Sequence, residues 1–145
     1  MKKLVSYAAS MLIVLSVAAA PDSKTIKLFN QTFPNAQHVK WYDNTAGYYA
    51  YFTQNGYSER ALFGKDGNFV CSWKYGDEKI LPTNIMMTLN KKYGESKILG
   101  AVEYTEGENM RYEVKVSKGA TWYNVNLLPD GSIASEEKYK SVDSN

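Results

Sequence analysis

The sequence contains one cysteine, Cys71, and one histidine, His38. A single cysteine excludes an intrachain disulfide and a cysteine-based metal site. In an exported protein such a residue can link two copies or act as a reactive thiol, but a buried cysteine behaves as a small apolar residue. Cys71 alternates with Phe69 and Trp73, which favours burial on the core face of a strand. On that assignment Cys71 and His38 lie on opposite faces of the sheet, so we predict no Cys–His catalytic pair.

The motifs of common enzyme classes are also missing. The chain has no glycine-rich phosphate loop, no HExxH zinc motif and no G-x-S-x-G turn to present a serine nucleophile. His38 stands beside Lys40 in a predicted strand, where a surface role is more common than a catalytic one. We therefore predict a non-enzymatic protein without cofactor or metal. An enzyme of unrecognised type is the weakest alternative, and it would depend on His38.

The N terminus has the pattern of a targeting segment. Lys2 and Lys3 precede an apolar run over residues 4–17, and three alanines follow at 18–20. This pattern predicts a signal peptide at 1–20 and an exported protein, periplasmic or secreted. The alternative is a membrane anchor, but the run is short for the roughly 20 residues that a spanning helix needs. We therefore expect no membrane association after cleavage.

Neither sign of charge is in large excess. The full chain has 17 basic and 15 acidic residues. Because the signal peptide contains two lysines and no acidic residue, the chain that follows it is neutral overall. It lacks the basic footprint of a nucleic-acid-binding protein, so we predict no nucleic-acid partner.

Apolar side chains recur at helical spacing in two places. The two stripes consist of Ile26, Phe29 and Phe33 in the first and of Ile85, Met86, Leu89 and Tyr93 in the second. Pro34 ends the first predicted helix, and Gly94 ends the second.

Hairpin turns set the register of the predicted strands. Asn55–Gly56 favours a two-residue type I′ turn, because both positions need positive φ. This turn sets Tyr51 opposite Arg60. The run 65–67 predicts a three-residue loop, after which Cys71 lies on the core face.

The second half of the chain follows a similar plan. Lys118–Gly119 predicts a further two-residue turn that sets Val114 opposite Tyr123. We predict a single domain over 21–145, made of two repeats at about 22–76 and 79–139. The predicted fold class is α+β, with two tandem helix-plus-antiparallel-meander units forming one sheet and the helices on one face.

The aromatic, turn and proline positions occur in a recognisable order: Phe29, Phe33-Pro34-x-Ala36-x-x-Val39-x-Trp41, Tyr48-x-Ala50-x-Phe52, Ala61-x-Phe63, Asp66-Gly67-Asn68-Phe69, Leu81-Pro82, Ile85 and Tyr93. This pattern resembles the exported PepSY-like family, whose members are similar in fold to the β-lactamase inhibitory protein. The resemblance covers nearly all of the chain after residue 20. It implies that the outer sheet face grips a partner protein with aromatic side chains, as in that inhibitor. Because PepSY domains restrain peptidases, it also implies a peptidase as one class of partner.

The predicted sheet face turned away from the helices is rich in aromatic residues. A face exposed to water is normally polar, yet this one carries six candidate binding residues: Tyr42, Tyr49, Tyr51, Arg60, Lys115 and Trp122. Aromatic rings beside arginine and adaptable polar groups are typical of interface hot spots. Two alternatives remain: cross-strand tyrosine pairs that only stabilise the sheet, or a loop or tail that covers it.

These observations favour a non-catalytic exported binding module. We predict that it docks another envelope or extracellular protein, as an inhibitor or regulator of an envelope enzyme such as a peptidase. The alternative is a small-ligand-binding or envelope-sensing domain, which would use an internal cavity between sheet and helices. The sequence predicts neither the partner's identity nor the oligomeric state.

Overall fold

A computed structural model describes residues 20–140. The predicted signal peptide lies outside this range except for Ala20, and it stays a prediction. The helices are α1 (Ser23–Thr32) and α2 (Thr83–Tyr93), with a short 3₁₀ turn at Glu78–Ile80. The strands are β1 (Gln37–Asn44), β2 (Gly47–Gln54), β3 (Tyr57–Phe63), β4 (Phe69–Gly76), β5 (Lys97–Glu106), β6 (Asn109–Lys118), β7 (Thr121–Leu127) and β8 (Ile133–Lys140).

The strands form one antiparallel sheet in the order β1 to β8, and the predicted fold class is wrong. The chain is not two tandem helix-plus-meander units, because all eight strands follow one another in a single antiparallel meander, with β4 paired to β5 from Gly76–Ala101 to Cys71–Glu106. The two helices, of 10 and 11 residues, are short additions to a mostly β structure. A division at β4 would leave two rows of unpaired backbone groups, and pairing β4 with β5 removes both edges. Whether 22–76 and 79–139 are repeats within one domain stays a prediction.

Local chemistry sets the bounds of α1. The Asp22 carboxylate accepts a hydrogen bond from the Thr25 amide at 2.7 Å. This bond caps the helix and holds the pKa of Asp22 below its usual value. The helix ends at Thr32, since Pro34 disfavours helical geometry at the residue before it. Within residues 20–140 no helix is both long enough and apolar enough to span a bilayer.

Both helices pack against the same face of the sheet, which we call the inner face. Apolar side chains of this face and of the segments packed on it form two clusters. The cluster under α1 contains Phe29, Phe33, Ala50, Phe52, Ala61 and Phe63. The cluster under α2 contains Ile80, Leu81, Ile85, Leu89, Tyr93, Ala101, Tyr112, Val114, Val116, Val125 and Leu127. At about 25 cal/mol for each Å² of apolar area removed from water, these clusters supply the main stabilisation of the fold.

The inner face is polar between the two clusters. Glu59, Lys74 and Glu103 are direct neighbours across β3, β4 and β5. Glu59 is only 8% exposed. Burial raises the pKa of its carboxyl, with Lys74 acting against this shift and Glu103 adding to it. The ionised form of Glu59 is therefore less favourable in the folded protein than in water.

Replacing Glu59 with glutamine is expected to stabilise the protein at neutral pH. Because the folded-state pKa lies above the ordinary value of 4.5, the folded state holds the proton more tightly than the unfolded state. The free energy of unfolding thus falls as pH rises through these pKa values. The Glu59→Gln variant has no carboxyl group at this position, so its stability does not fall in this way as pH rises. The difference in melting temperature between the variant and the wild type should therefore be larger at about pH 7 than at about pH 4.

Glu136 provides a control of opposite sign. Hydrogen bonds from Lys92 and Tyr93 hold the pKa of Glu136 below its usual value. Its contribution is present at neutral pH and lost as pH falls through the folded-state pKa. Glu136→Gln should therefore lower the melting temperature at neutral pH. Identical melting temperatures for the wild type and Glu59→Gln at neutral pH would show that burial of the carboxylate is compensated within the fold.

One predicted turn register is confirmed and one is wrong. Tyr51 pairs with Arg60, as the Asn55–Gly56 turn predicts. Lys118, however, still pairs with Thr121, so the second turn is one residue later and Val114 lies opposite Val125. This changes the pairing by two residues, which keeps each side chain on its predicted face.

A β-bulge in the β3–β4 pairing reverses the faces of one strand. Phe63 pairs with Phe69, but the preceding residue, Leu62, pairs with Cys71, so one residue of β4 is unpaired. Beyond the bulge, Cys71 and Trp73 point away from the helices, onto the face that we call the outer face. The prediction that they share the core face with Phe69 is therefore wrong. The predicted burial of Cys71 is confirmed, since it is 4% exposed.

Candidate functional site

One row of side chains crosses six strands on the outer face. Each member is the direct neighbour of the next in the strand pairing. We call this set the central row; from β1 to β6 it consists of Lys40, Tyr51, Arg60, Trp73, Tyr104 and Arg111. Since adjacent strands lie about 4.8 Å apart, the row is roughly 24 Å long. It contains three aromatic and three cationic side chains on a surface that is normally polar.

Arg60 lies at the centre of an aromatic cage. Its guanidinium carbon is 4.0 Å from the centroid of the Trp73 ring, 5.6 Å from that of Tyr49 and 5.9 Å from that of Tyr51. Each such cation–π contact contributes about 0.5–1 kcal/mol when exposed and more when desolvated. The Arg60 Nε atom is buried and has no hydrogen-bond partner among residues 20–140. Packing against rings thus holds the guanidinium in place.

The same pattern continues at the β5–β6 end of the central row. The Trp73 and Tyr104 ring centroids are 5.4 Å apart, and the Arg111 guanidinium carbon is 4.0 Å from the Tyr104 centroid. The Tyr104 hydroxyl donates to Glu106 at 3.2 Å. Burial, with hydrogen bonds to Cys71 and Glu106, raises the pKa of Tyr104 to about 12. Its hydroxyl is therefore a hydrogen-bond donor at neutral pH.

Tyr42 and Tyr49 are paired across β1 and β2 beside the central row, and their rings pack against the cage. The Tyr42 and Tyr51 ring centroids are 5.2 Å apart in an edge-to-face arrangement, and those of Tyr49 and Trp73 are 6.4 Å apart. Aromatic pairs of this kind add about 0.5–1.5 kcal/mol beyond the area that they bury. The rings therefore hold one another in fixed positions around Arg60.

Cys71 and His38 do not form a catalytic pair, although the predicted reason is wrong. Cys71 lies on the outer face, on β4, whereas the His38 Nδ1 atom is hydrogen-bonded to the Thr53 hydroxyl at the β1 edge, at 3.1 Å. Three strand spacings, about 14 Å, separate the two strands. Burial also raises the pKa of the Cys71 thiol, which leaves it protonated and weakly nucleophilic at neutral pH.

The six residues predicted to bind a partner fall into two patches. Four of them lie together in and beside the central row: Tyr42, Tyr49, Tyr51 and Arg60. Lys115 and Trp122 form a separate patch, with the lysine Nζ 5.3 Å from the tryptophan ring centroid. Three strand spacings across the sheet and four residues along it place Lys115 roughly 20 Å from Arg60. That either patch binds a partner stays a prediction.

Four members of the central row are absent from the predicted site: Lys40, Trp73, Tyr104 and Arg111. Arg111 carries a sequence signal, because it precedes the alternating core residues Tyr112 and Val114 and so belongs to the other face. Trp73 carries no such signal, since the bulge changes its face without changing the alternation of the strand. For the same reason Ser72 and Lys74 lie on the inner face.

The cations of the central row are not neutralised by ion pairs within the described part of the chain. The ion pairs among residues 20–140 join Lys65 to Asp43 and Lys92 to Glu136, and none includes a member of the row. The guanidinium groups of Arg60 and Arg111 instead pack against the rings of Trp73 and Tyr104.

Acidic side chains on the outer face are confined to one end. On β1–β4 the outward-facing positions include Lys40 and Arg60 but no acidic residue. On β5 and β6, by contrast, Glu106 and Glu113 accompany Arg111. The β1–β4 end of the central row is therefore cationic, and the β5–β6 end is close to neutral.

Two open depressions adjoin the outer face. One, of about 470 Å³, lies at the Arg111 end and is also lined by Leu128 and Pro129. The other, of about 310 Å³, lies between the two patches and is lined in part by Val102 and Lys115. Within residues 20–140 no group of three His, Cys, Asp or Glu side chains is placed to hold a metal ion.

Comparisons by sequence and by structure differ in outcome. No protein-family model matches the sequence. No curated protein matches it either. The structure is similar to a BLIP-like protein from Bacteroides fragilis NCTC 9343, with a TM-score of 0.71 and 16% identity over 88% of this chain and 92% of that chain.

Two further solved structures are similar. A provisionally assigned periplasmic protein from Bacteroides eggerthii DSM 20697 has a TM-score of 0.68 and 15% identity, over 86% of this chain and 94% of that chain. A DUF2874 family protein from Bacteroides uniformis ATCC 8492 has a TM-score of 0.68 and 16% identity, over 82% and 90%. Identity this low shows the fold alone. The chain has a BLIP-like fold, which confirms the predicted resemblance in fold to the β-lactamase inhibitory protein, whereas membership of the PepSY-like family is not shown.

Proposed function

We propose that the chain is a non-catalytic, exported protein-binding module whose central row docks another envelope protein. The central row itself carries this proposal. Tyr51 is 42% exposed, and with Trp73 it flanks a fixed arginine. Tyr, Trp and Arg are the residues most enriched in interface hot spots, where a rigid ring buries area at little entropic cost.

Cross-strand packing alone is a weaker account of these side chains. Aromatic pairs in a sheet contribute roughly 0.2–1 kcal/mol each without any partner. Stabilising a sheet does not, however, require cations that lack acidic partners. The β1–β4 end of the row contains two such cations, Lys40 and Arg60. A face that binds another protein accounts for both the rings and the charges.

The assignment to the envelope draws on the BLIP-like fold and on the periplasmic assignment of the structure from Bacteroides eggerthii. We further propose that the chain belongs with the exported PepSY-like proteins and inhibits or regulates an envelope enzyme, with a peptidase as the first class to test. These finer statements rest on analogy of fold, which is a weaker basis than a site.

Removing two rings of the central row is expected to weaken partner binding about tenfold to hundredfold. The variant Tyr51→Ala with Trp73→Ala removes the two rings that flank Arg60, and each hot-spot ring contributes upward of about 1 kcal/mol. The measurement is recovery of envelope proteins from the source organism on immobilised protein, quantified by mass spectrometry. Circular dichroism checks that the variant is folded.

Two further variants define the outcome. Met87→Ala, at a 67% exposed position of α2, should leave recovery unchanged. Trp122→Ala with Tyr139→Ala tests the second patch, since these side chains are neighbours at the β7–β8 end of the outer face. If the folded Tyr51/Trp73 variant recovers the same proteins in the same amount, the central row is not the binding site.

A further inference from the structure

We infer that the protein segment recognised by the central row is acidic, and that one of its carboxylates pairs with Arg60. This inference rests on the proposed function and specifies the partner's chemistry. It follows from what occupies the aromatic cage, from the distribution of charge along the row and from the spacing of the cations.

The cage is already filled by a cation of the protein itself. The Tyr49, Tyr51 and Trp73 ring centroids all lie within 6 Å of the Arg60 guanidinium carbon. Rings in this position have no room for a second cation from a partner, and a lysine or quaternary ammonium group would also be repelled by Arg60. The rings instead hold the guanidinium in one orientation. A planar guanidinium held in this way suits a carboxylate, which it can bind through two parallel hydrogen bonds.

The distribution of charge along the central row predicts which end of the bound segment is acidic. Lys40 lies two strand spacings from Arg60, about 10 Å, with Tyr51 between them. An extended chain rises about 3.3 Å per residue and alternates its side chains between two sides, so carboxylates two or four residues apart share a side at about 7 or 13 Å and their flexible side chains would reach both cations. Glu106 and Glu113 disfavour a further carboxylate near Arg111. We therefore expect acidic residues at one end of the bound segment and apolar residues at the other.

A protein segment fits this surface better than an acidic oligosaccharide. Sugars bind aromatic side chains by stacking on open ring faces. In the cage the Trp73 ring is covered by Arg60 at 4.0 Å, and Tyr51 is met edge-to-face by Tyr42. Carboxylates on a flexible peptide need only the Arg60 guanidinium and the Lys40 ammonium group. Neither cation forms an ion pair within residues 20–140.

A library of random dodecapeptides displayed on phage is the first probe. Selection on the immobilised protein should enrich peptides with two acidic residues two or four positions apart. The dissociation constant of a selected peptide, synthesised with blocked termini and measured by fluorescence anisotropy, should rise with salt concentration, as charge pairing requires.

Variants of Arg60 test whether a carboxylate of the peptide pairs with this residue. Arg60→Gln should raise the dissociation constant at least about tenfold. Arg60→Lys, which keeps the charge but not the planar fork, should restore only part of the affinity. Lys138→Gln is the matched control, because Lys138 lies 5.9 Å from the Tyr123 ring centroid on the inner face. It removes one ring-contacting cation from the other side of the sheet and should change the dissociation constant less than about twofold.

Several outcomes would overturn the inference. Peptides that need Tyr51 and Trp73 but show no acidic enrichment would overturn it while leaving the proposed function in place. Acidic peptides that bind Arg60→Gln and the Tyr51/Trp73 variant as well as the wild type would count against both proposals. Displacement of every selected peptide by a galacturonate hexamer at comparable concentration would favour an acidic polysaccharide. If Arg60→Gln does not fold, Lys40→Gln and a Glu→Gln peptide provide the same test, and unchanged affinity with both would reject the inference.

Discussion

Replacing Phe29 with alanine is expected to lower the free energy of unfolding by about 3–5 kcal/mol. Phe29 is 2% exposed. Its ring centroid lies 5.1 Å from those of Trp41 and Phe52 and 6.1 Å from that of Phe63. Truncation to alanine removes these contacts and leaves a cavity that the surrounding rings cannot fill without leaving their rotamers.

The loss should be near the upper end of that range because α1 has few other attachments. A helix of 10 residues is not stable by itself in water, so packing against the sheet maintains it. Without the Phe29 ring, the inner faces of β1–β3 would lose the side chain at the centre of their cluster. We expect a lower urea midpoint and, at high concentration, association through the exposed apolar face.

Ile26→Ala on the same helix is the matched control. Ile26 is 38% exposed, and alanine is the stronger helix former, so this change should alter the free energy of unfolding by less than about 1 kcal/mol. The measurement is urea denaturation followed by tryptophan fluorescence. Equal effects of the two substitutions would show that α1 is not anchored through Phe29.

Features set by nearby residues could be predicted from the sequence. The stripe containing Phe29 has helical spacing, and Pro34 fixes where α1 ends. Asn55–Gly56 sets the pairing of Tyr51 with Arg60, because the turn geometry determines the register of the strands that follow it. This local rule brings three of the predicted binding residues together, namely Tyr49, Tyr51 and Arg60.

Features set by distant pairing could not be predicted in the same way. The predicted fold class failed because it divided the chain into two helix-plus-meander units, whereas the eight strands form one meander with two short helices added to it. No residue pattern indicates that β4 and β5 pair, since either strand could be an edge. The β3–β4 bulge is equally hidden. It moves Trp73 to the outer face while the strand still alternates apolar and polar residues. The central row depends on both features, so the sequence predicts only its β1–β3 part.

Gly47, on β2, lies beside this bulge. Its lack of a side chain allows the backbone of β2 to approach that of β3 closely at Phe63. A Cβ atom at position 47 would lie 2.0 Å from the carbonyl oxygen of Phe63 and 3.1 Å from the Cα of Gly64. Phe63 is the residue at which the β3–β4 register shifts. The absence of a side chain at Gly47 therefore permits the backbone arrangement that places Trp73 on the outer face.

Replacing Gly47 with alanine is expected to lower the free energy of unfolding by about 2–6 kcal/mol, from about 1–3 kcal/mol for overpacking and about 1–3 kcal/mol for a backbone angle that favours glycine. Gly47 has φ of +148°. The control is Gly56→Ala, because Gly56 has φ of +82° but no atom within 4 Å of its added Cβ, so it has only the backbone penalty.

If the Gly47 variant folds by moving Phe63, the bulge moves too, and Trp73 should lose its contact with Arg60. Peptide binding should then weaken in Gly47→Ala but not in Gly56→Ala, although neither residue belongs to the central row. Unchanged stability and binding in Gly47→Ala would show that the bulge, and with it the central row, does not depend on this close approach.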